Sequence, residues 1–439
     1  MGEELESSTD SVSSRCEKSS FCESQSVYTS LLRSIGETSS RSMNRKQIFC
    51  LIIMAYGNFC IGANGSLQAP FFPGECDIKG VSSLIYGLIF GVFELVIIVT
   101  CPIFSKMFAY VTPYFFLEFG LFLIGATAVL FGVLDKVTRS LEFSVFAFSL
   151  RMGEGVGTAA FIASSHAIRS SEFSRHAAYA HMVLSTASSL GSLLGSPVGG
   201  ALFTAGGYVM PFVVFGGLLL FGSLVSIVIL PKSDDYTLNS NPVSLRNQSD
   251  QLVDVLVIAG CVALTGFNDV TLAHHLSQFD LSPIEIGSIF IANRLAYSLV
   301  FFGWRKLGRL EFDALWISIL GTVINIIGLS LIGPVSFIPI EPKLWLIIVS
   351  LIIIGIGLAA KQVGSFFSNR SASRGYLNAN LTHDEVSAIN TLTSIAAFVG
   401  PVTGGYLIGT IGYRSATEVA LALEIFTLIL LIVHKIYGS

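Results

Sequence analysis

Twelve stretches of roughly twenty mainly apolar residues alternate with short polar connections along this chain. They run over 47–69, 83–105, 113–134, 143–168, 177–204, 210–230, 252–276, 284–304, 312–334, 344–367, 386–410 and 415–436. Each is long enough to cross the ~30 Å hydrocarbon core of a bilayer as a helix. Six fall on either side of Pro231 to Gln251, PKSDDYTLNSNPVSLRNQSDQ, whose Ser, Asn, Asp and Pro content reads as a linker. The pattern therefore predicts an all-α membrane protein of twelve transmembrane helices, in two six-helix halves at 47–230 and 252–439. Residues 1–46 are Ser-rich, carry both signs of charge and lack an apolar period, the composition of a disordered tail.

The halves echo one another. GSLLGSPVGGALFTAGGY at 191–208 and IAAFVGPVTGGYLIGTIGY at 395–413 align at an offset of 205, which superposes Gly195, Gly199, Gly200, Gly207 and Tyr208 on Gly400, Gly404, Gly405, Gly412 and Tyr413. GLIF at 87–90 and GSIF at 287–290 align at an offset of 200. A duplicated plan of this kind is how many secondary transporters are built, with substrate held between the halves.

Composition agrees, because a chain of 439 residues that is 52% hydrophobic, 12% charged and carries 34 Phe has more apolar area than a soluble core hides. Basic residues then orient it. Arg41, Arg45 and Lys46 precede the first span; Lys106, Arg169, Arg175, Lys232, Arg246, Arg305, Lys306, Arg309, Arg370, Arg374 and Lys435 follow the even-numbered ones. The alternate loops hold only Lys79, Lys136, Arg139, Lys343 and Arg414. Since basic residues collect in cytoplasmic loops, both termini and the linker are expected in the cytoplasm. The sequons at Asn247 and Asn380 then face the wrong compartment for glycosylation, and that at Asn64 sits within the first span. The tail has no signal-peptide layout, and Tyr28-Thr29-Ser30-Leu31 matches a membrane-sorting pattern. Seven scattered cysteines, with Cys76 in an outer loop, form neither a disulfide framework nor a zinc spacing.

Ionisable groups inside spans are costly, so each is a candidate for function. They are Glu94, Glu118, Arg151, Glu154, His181, Asp269, Arg294, Lys361 and Glu424. Glu118 and Glu424 stand near predicted span ends and are expected to snorkel. Arg151 and Glu154, three apart on one helical face, form either a structural salt bridge or a proton-exchanging pair. Asp269 is a lone mid-span carboxylate, a site for a cation or a proton. Glu94 and Arg294 each lie four residues past the repeated Phe, Phe90 and Phe290, so Glu94 is either a substrate or proton site or one partner of an ion pair between the halves that meets Arg294 in one conformation and acts as a gate. No GxxxxGK[ST] loop is present to draw energy from a nucleotide. No HExxH or GxSxG motif points to a membrane enzyme.

RMGEGVGTAA at 151–160 resembles the fourth-helix pattern RxxxGxGxx of the major facilitator superfamily. Gly191, Gly195, Pro197, Gly199 and Gly200 are similar to its fifth-helix antiporter motif GxxxGPxxGG, with Ser196 where the motif has its first proline. PFFPGECDIKGVSS, IFGVFEL, LFGVLDK, GSPVGGALF, GGYVMPF and GFNDVTLAHHLSQFDL look like the vesicular amine transporters, nearest their polyamine branch. SKMFAYVTPY lacks the superfamily's usual GxLxDRxGR, and WRKLGRLEFD keeps only basic residues and a late acid. The resemblance implies the major facilitator fold and proton-coupled antiport of organic cations into a vesicle or endolysosome. Its partners would be a small organic cation, protons and the bilayer, with no cofactor, metal or nucleic acid. Glu94, Arg151, Glu154 and Asp269 would carry substrate and proton coupling. Two alternatives stay open: Arg294 and Lys361 suit an organic-anion transporter that uses them, and the weakened loop motifs suit a transport-dead receptor or scaffold.

Overall fold

The computed structural model describes residues 43–173, 176–230, 248–307, 314–333, 343–372 and 383–437. Tyr28, most of the tail, most of the linker, Asn247 and Asn380 lie outside them. The helices are α1 (Arg45–Leu67), α2 (Phe72–Ile78), α3 (Ser83–Met107), α4 (Pro113–Val133), α5 (Ser140–Glu172), α6 (Ala177–Gly206), α7 (Val209–Ile229), α8 (Gln248–Leu276), α9 (Pro283–Leu307), α10 (Ala314–Ile332), α11 (Leu344–Ala372) and α12 (His383–Tyr437). Two 3₁₀ turns complete the secondary structure of the described residues.

Among the described residues, ten stretches are long and apolar enough to cross a membrane. The last of them holds two spans, because Gly412 breaks α12 with φ 78°, a left-handed conformation that glycine adopts without a Cβ penalty. The fifth span, α6, is thirty residues long but rich in Ser and Gly, which dilutes its hydropathy. With these two, the described residues contain the twelve crossing helices read from the sequence. Span ends differ modestly: α5 continues past 168 to Glu172, and α8 begins at Gln248, ahead of 252. Cys76 corrects an expectation. It lies in α2, fully buried, because Phe71, Phe72 and Cys76 plug this short helix into the core of the first half.

The internal repeat is visible as packing. In the first half α1 lies on α6, α4 on α5 and α7, and α3 on α5; the second half repeats this with α8 on α12, α10 on α11 and α12, and α9 on α11. The halves meet through α3 against α12 and α6 against α9. A Cβ on Gly87 would come within 2.6 Å of the Pro401 carbonyl oxygen, and one on Gly287 within 2.5 Å of that of Ser196. Gly405 is pressed on the Ser83 carbonyl and Gly200 on that of Pro283. The offsets of 200 and 205 turn one seam into the other. Bare glycine is required here because helices approaching this closely have no room for side chains.

Of the antiporter-motif residues, Gly191, Gly195 and Gly199 pack on the backbone of α1 at Phe59, Ala63 and Leu67, whereas Gly200 faces the other half. Pro197 stands inside α6. Ser196, in place of the motif's first proline, donates its hydroxyl to the Ser66 carbonyl at 3.0 Å and ties α6 to α1. The second half has Pro401 at the matching position.

Candidate functional site

Polar residues of α5 and the C-terminal end of α1 form the first cluster. Arg151 and Glu154 sit one turn apart on α5, and their Nη1 and Oε2 atoms are 2.9 Å apart in an ion pair almost sealed from solvent. Arg151 also donates from Nη2 to Gln68 Oε1 at 2.6 Å, and Asn64 donates its amide to Glu154 Oε1. The guanidinium lies over the rings of Phe90, Phe93 and Phe131, with centroids 5.3 to 5.7 Å away, which favours a cation there. Asn64 and Gln68 were not singled out as site residues. Their signal was present, two amides four residues apart on one face of an apolar helix.

Glu94 stands differently. It lies on the α3 stripe of Gly87 and Gly91, which faces α12, while Phe93 and Val96 on the adjacent face pack on Gly155 of α5. It is half-buried and has no hydrogen bond or ion pair among the described residues. The Arg151 charge reaches it only as a field, being already committed to Glu154.

The second cluster joins α8 to α9. Arg294 Nη2 lies 2.8 and 3.0 Å from the two Asp269 oxygens, and Nη1 donates at 2.9 Å to the Ser192 carbonyl of α6. Thr265, Asn268, Leu272, Phe290, Asn293 and Leu351 complete a small pocket around the pair. The side chains of Arg294 and Asp269 keep 17% and 26% exposure, so neither is sealed.

This geometry corrects the expected Glu94–Arg294 pair: Arg294 pairs with Asp269, which is therefore not a lone carboxylate. The repeat does relate positions 94 and 294. Because α3 packs on α12 and α9 on α6, however, the two equivalent faces lie on opposite sides of the interface. Lys361 and Glu424 are corrected too. The ammonium is fully buried and lies 2.9 and 2.8 Å from the two Glu424 oxygens, so Glu424 does not snorkel and Lys361 does not line a cavity. A neutralised, sealed ammonium cannot receive an organic anion. Glu118 is half-buried, and exposed His181 meets Arg169 through its Nδ1 at 2.9 Å.

One further polar link crosses between the halves. His274 at the end of α8 lies 3.4 Å from Asp77 of α2, an ion pair whenever the imidazole is protonated. Among the described residues no group of His, Cys, Asp and Glu is arranged to hold a metal ion.

Comparison with known proteins agrees with the architecture. The Major Facilitator Superfamily model matches residues 54–360. The human MFS-type transporter SLC18B1 is 31% identical over 392 residues, 88% of this chain and 86% of the relative. The mouse protein of that name is 29% identical over 391 residues, 86% of this chain and 84% of its own. Among solved structures, a bacterial homologue of the human lysosomal transporter Spinster, inward-facing and unoccupied, superposes with a TM-score of 0.68 at 13% identity, covering 89% of this chain and 96% of that one. The human organic anion transporter MFSD10 reaches 0.60 at 14% identity, covering 89% and 100%; at such identities the likeness is one of fold. The duplicated halves, the glycine seams and these matches together make the chain a multi-pass transporter of the major facilitator superfamily, not an enzyme.

Proposed function

We infer that the protein is a proton-coupled antiporter that moves organic cations, amines or polyamines, from the cytosol into an acidic vesicle or endolysosome by alternating access, with both termini in the cytoplasm. One observation carries this reading. Mid-span cations and acids among the described residues pair as Arg151 with Glu154, Arg294 with Asp269 and Lys361 with Glu424, which leaves Glu94 over. An uncompensated carboxylate at this depth calls for a proton or a cation from outside the protein. The same pairing neutralises Arg294 and Lys361, so neither repels a cationic substrate.

In this reading Glu94 takes the counter-transported proton and Asp269 binds the substrate's positive charge. Arg151, held by Gln68 and Glu154, fixes the field in which Glu94 titrates. The resemblance to vesicular amine transporters supports the cationic substrate class and the vesicular address.

The test is uptake into proteoliposomes under an imposed pH gradient, with spermidine, serotonin and an organic anion compared. Wild-type protein should accumulate at least one of the cations and not the anion. Glu94→Gln keeps the shape, removes the titration and should reduce accumulation to background while the protein still reaches the membrane. Full gradient-driven uptake by that variant would remove Glu94 from the mechanism.

A further inference from the structure

Arg294 makes hydrogen bonds on both sides of the interface between the halves. Nη2 grips Asp269 in its own half, and Nη1 donates to the Ser192 carbonyl in the other. Ser192 passes the tie onward, its hydroxyl donating to the Gly62 carbonyl of α1 at 3.2 Å. The remaining mid-span pairs stay within one half and are nearly sealed: side-chain exposures are 3% and 4% for Arg151 and Glu154, and 0% and 6% for Lys361 and Glu424. At 17% and 26%, Arg294 and Asp269 form the least sealed of these three mid-span pairs, and a small pocket adjoins them.

A reachable carboxylate in a medium of low dielectric has a difficulty as a transport site. Attraction strong enough to capture a cation also holds it, and accumulation requires release on the far side. A cation tethered to the protein removes the difficulty, because it returns to the carboxylate and cannot itself be carried away.

Resting on the reading of this chain as a cation transporter, we propose that Arg294 is a built-in rival for Asp269, a specificity-determining residue that the substrate's cationic nitrogen displaces on binding and that expels the substrate by returning. Displacement strips the guanidinium of its counter-charge and draws it toward water. The bond to Ser192 is then strained or broken together with the ion pair. Occupancy of Asp269 is thereby reported at the α6–α9 seam, where Gly200 and Gly287 hold the halves in contact. Only a positively charged ligand can take this place. A neutral ligand offers the carboxylate nothing to compensate the lost guanidinium, and an anion meets an arginine already neutralised.

The probes are radiolabelled spermidine and serotonin, bound to purified full-length protein and taken up by proteoliposomes. R294Q removes the rival, so the cation that wild type binds should bind about tenfold tighter or more, a gain of ~1.4 kcal/mol. Its gradient-driven accumulation should fall, because nothing expels the cation. R294K keeps the charge without the forked grip and should tighten binding by less than R294Q. The double variant D269N/R294Q should lose the whole gain. A merely structural role for Arg294 predicts weaker binding in every variant, so R294Q no tighter than wild type overturns the proposal, as does a double variant as tight as R294Q. Should R294Q fail to reach the membrane, R294K decides in the same sense: tighter than wild type supports the rivalry, equal or weaker overturns it. Wild type that binds neither cation overturns the transport reading and this inference with it, whereas wild type that binds while neither variant tightens overturns this inference alone.

Discussion

Replacing Lys361 and Glu424 singly and together separates structural charge from transport charge. The Lys361 ammonium lies 2.8 Å from Glu424, with side-chain exposures of 0% and 6%. At an effective dielectric of ~20, charges at that separation attract by ~6 kcal/mol, which offsets the cost of removing both from water. Taking away one partner leaves the other buried and uncompensated, so Lys361→Met and Glu424→Leu alone should each destabilise by about 3–5 kcal/mol. Together they leave two apolar side chains and no charge. The first half already uses that solution: the offsets of 200 and 205 place Phe161 and Leu219 at the matching positions, both fully buried in one apolar cluster. Methionine is chosen over phenylalanine at 361 because the ring of Phe161 lies against Gly57, whereas the matching residue is Val257, which leaves less room. The double variant should therefore return close to wild-type stability or exceed it. Thermal midpoints of detergent-purified protein, read by size-exclusion fluorescence after heating, should fall by about 5–10 °C for the singles, extrapolating from smaller domains. The double should recover most of that and still transport. Singles within a degree of wild type, or a double no better than the worse single, would refute the reasoning. A stable double that has lost transport would place Lys361 in the transport path after all.

Arg151→Gln and Glu154→Gln should each lower folded yield more than the double substitution does, because either single leaves one buried charge; a double as unstable as the sum of the singles would show no interaction. Asp269→Asn should bring gradient-driven uptake to background and, by stranding Arg294, reduce thermal stability more than Glu94→Gln, whose side chain has no partner to strand; equal stability of the two would contradict the pairing. Gly87→Val should force the α3–α12 seam apart, so that a cysteine placed at Ser83, which packs under Gly405 and Gly409, reacts faster with a membrane-impermeant thiol reagent, in a background free of native cysteines; unchanged labelling would count against the seam as the closing contact.

The spans were legible because length and apolarity decide them locally, and the halves because duplication left glycines and tyrosines at constant offsets. The pairing of charges was not. Lys361 and Glu424 are 63 residues apart, and which acid a buried cation meets depends on how each helix is rotated about its axis, something that span-by-span reading leaves open. The repeat itself misled at 94 and 294. It identified equivalent places correctly, but equivalence under a pseudo-twofold axis separates residues unless they lie on the axis. Glu424 stands near the middle of 415–436, too deep to snorkel, and α12 carries it against α11 and Lys361. Arg151 and Glu154 were readable because a spacing of three on one helix brings side chains together wherever the helix points.

Equivalent positions in the two halves carry opposite charge arrangements, and under the proposed antiport this asymmetry would give the symmetric scaffold a direction. Gln68, Ala69, Phe90, Glu94 and Arg151 in the first half match Asn268, Asp269, Phe290, Arg294 and Leu351 in the second at an offset of 200. In the second half the acid and the cation of the set face one another and neutralise. In the first half the arginine turns instead to Glu154, one turn along α5, and the set keeps a surplus carboxylate. Under that proposal a proton arriving at Glu94 would change the net charge of one half only, while a cation arriving at Asp269 would release a charge already present in the other. Two halves that rock as near-equivalent bodies then respond to different solutes, which is what exchanging one cation for another requires. The consequence is testable by transplantation. Glu94→Arg with Ala69→Asp gives the first half the internal pair of the second, removes the surplus carboxylate and should abolish proton-driven accumulation. Substrate binding at Asp269 should persist, so loss of both together would mean that the two sites do not divide the work in this way.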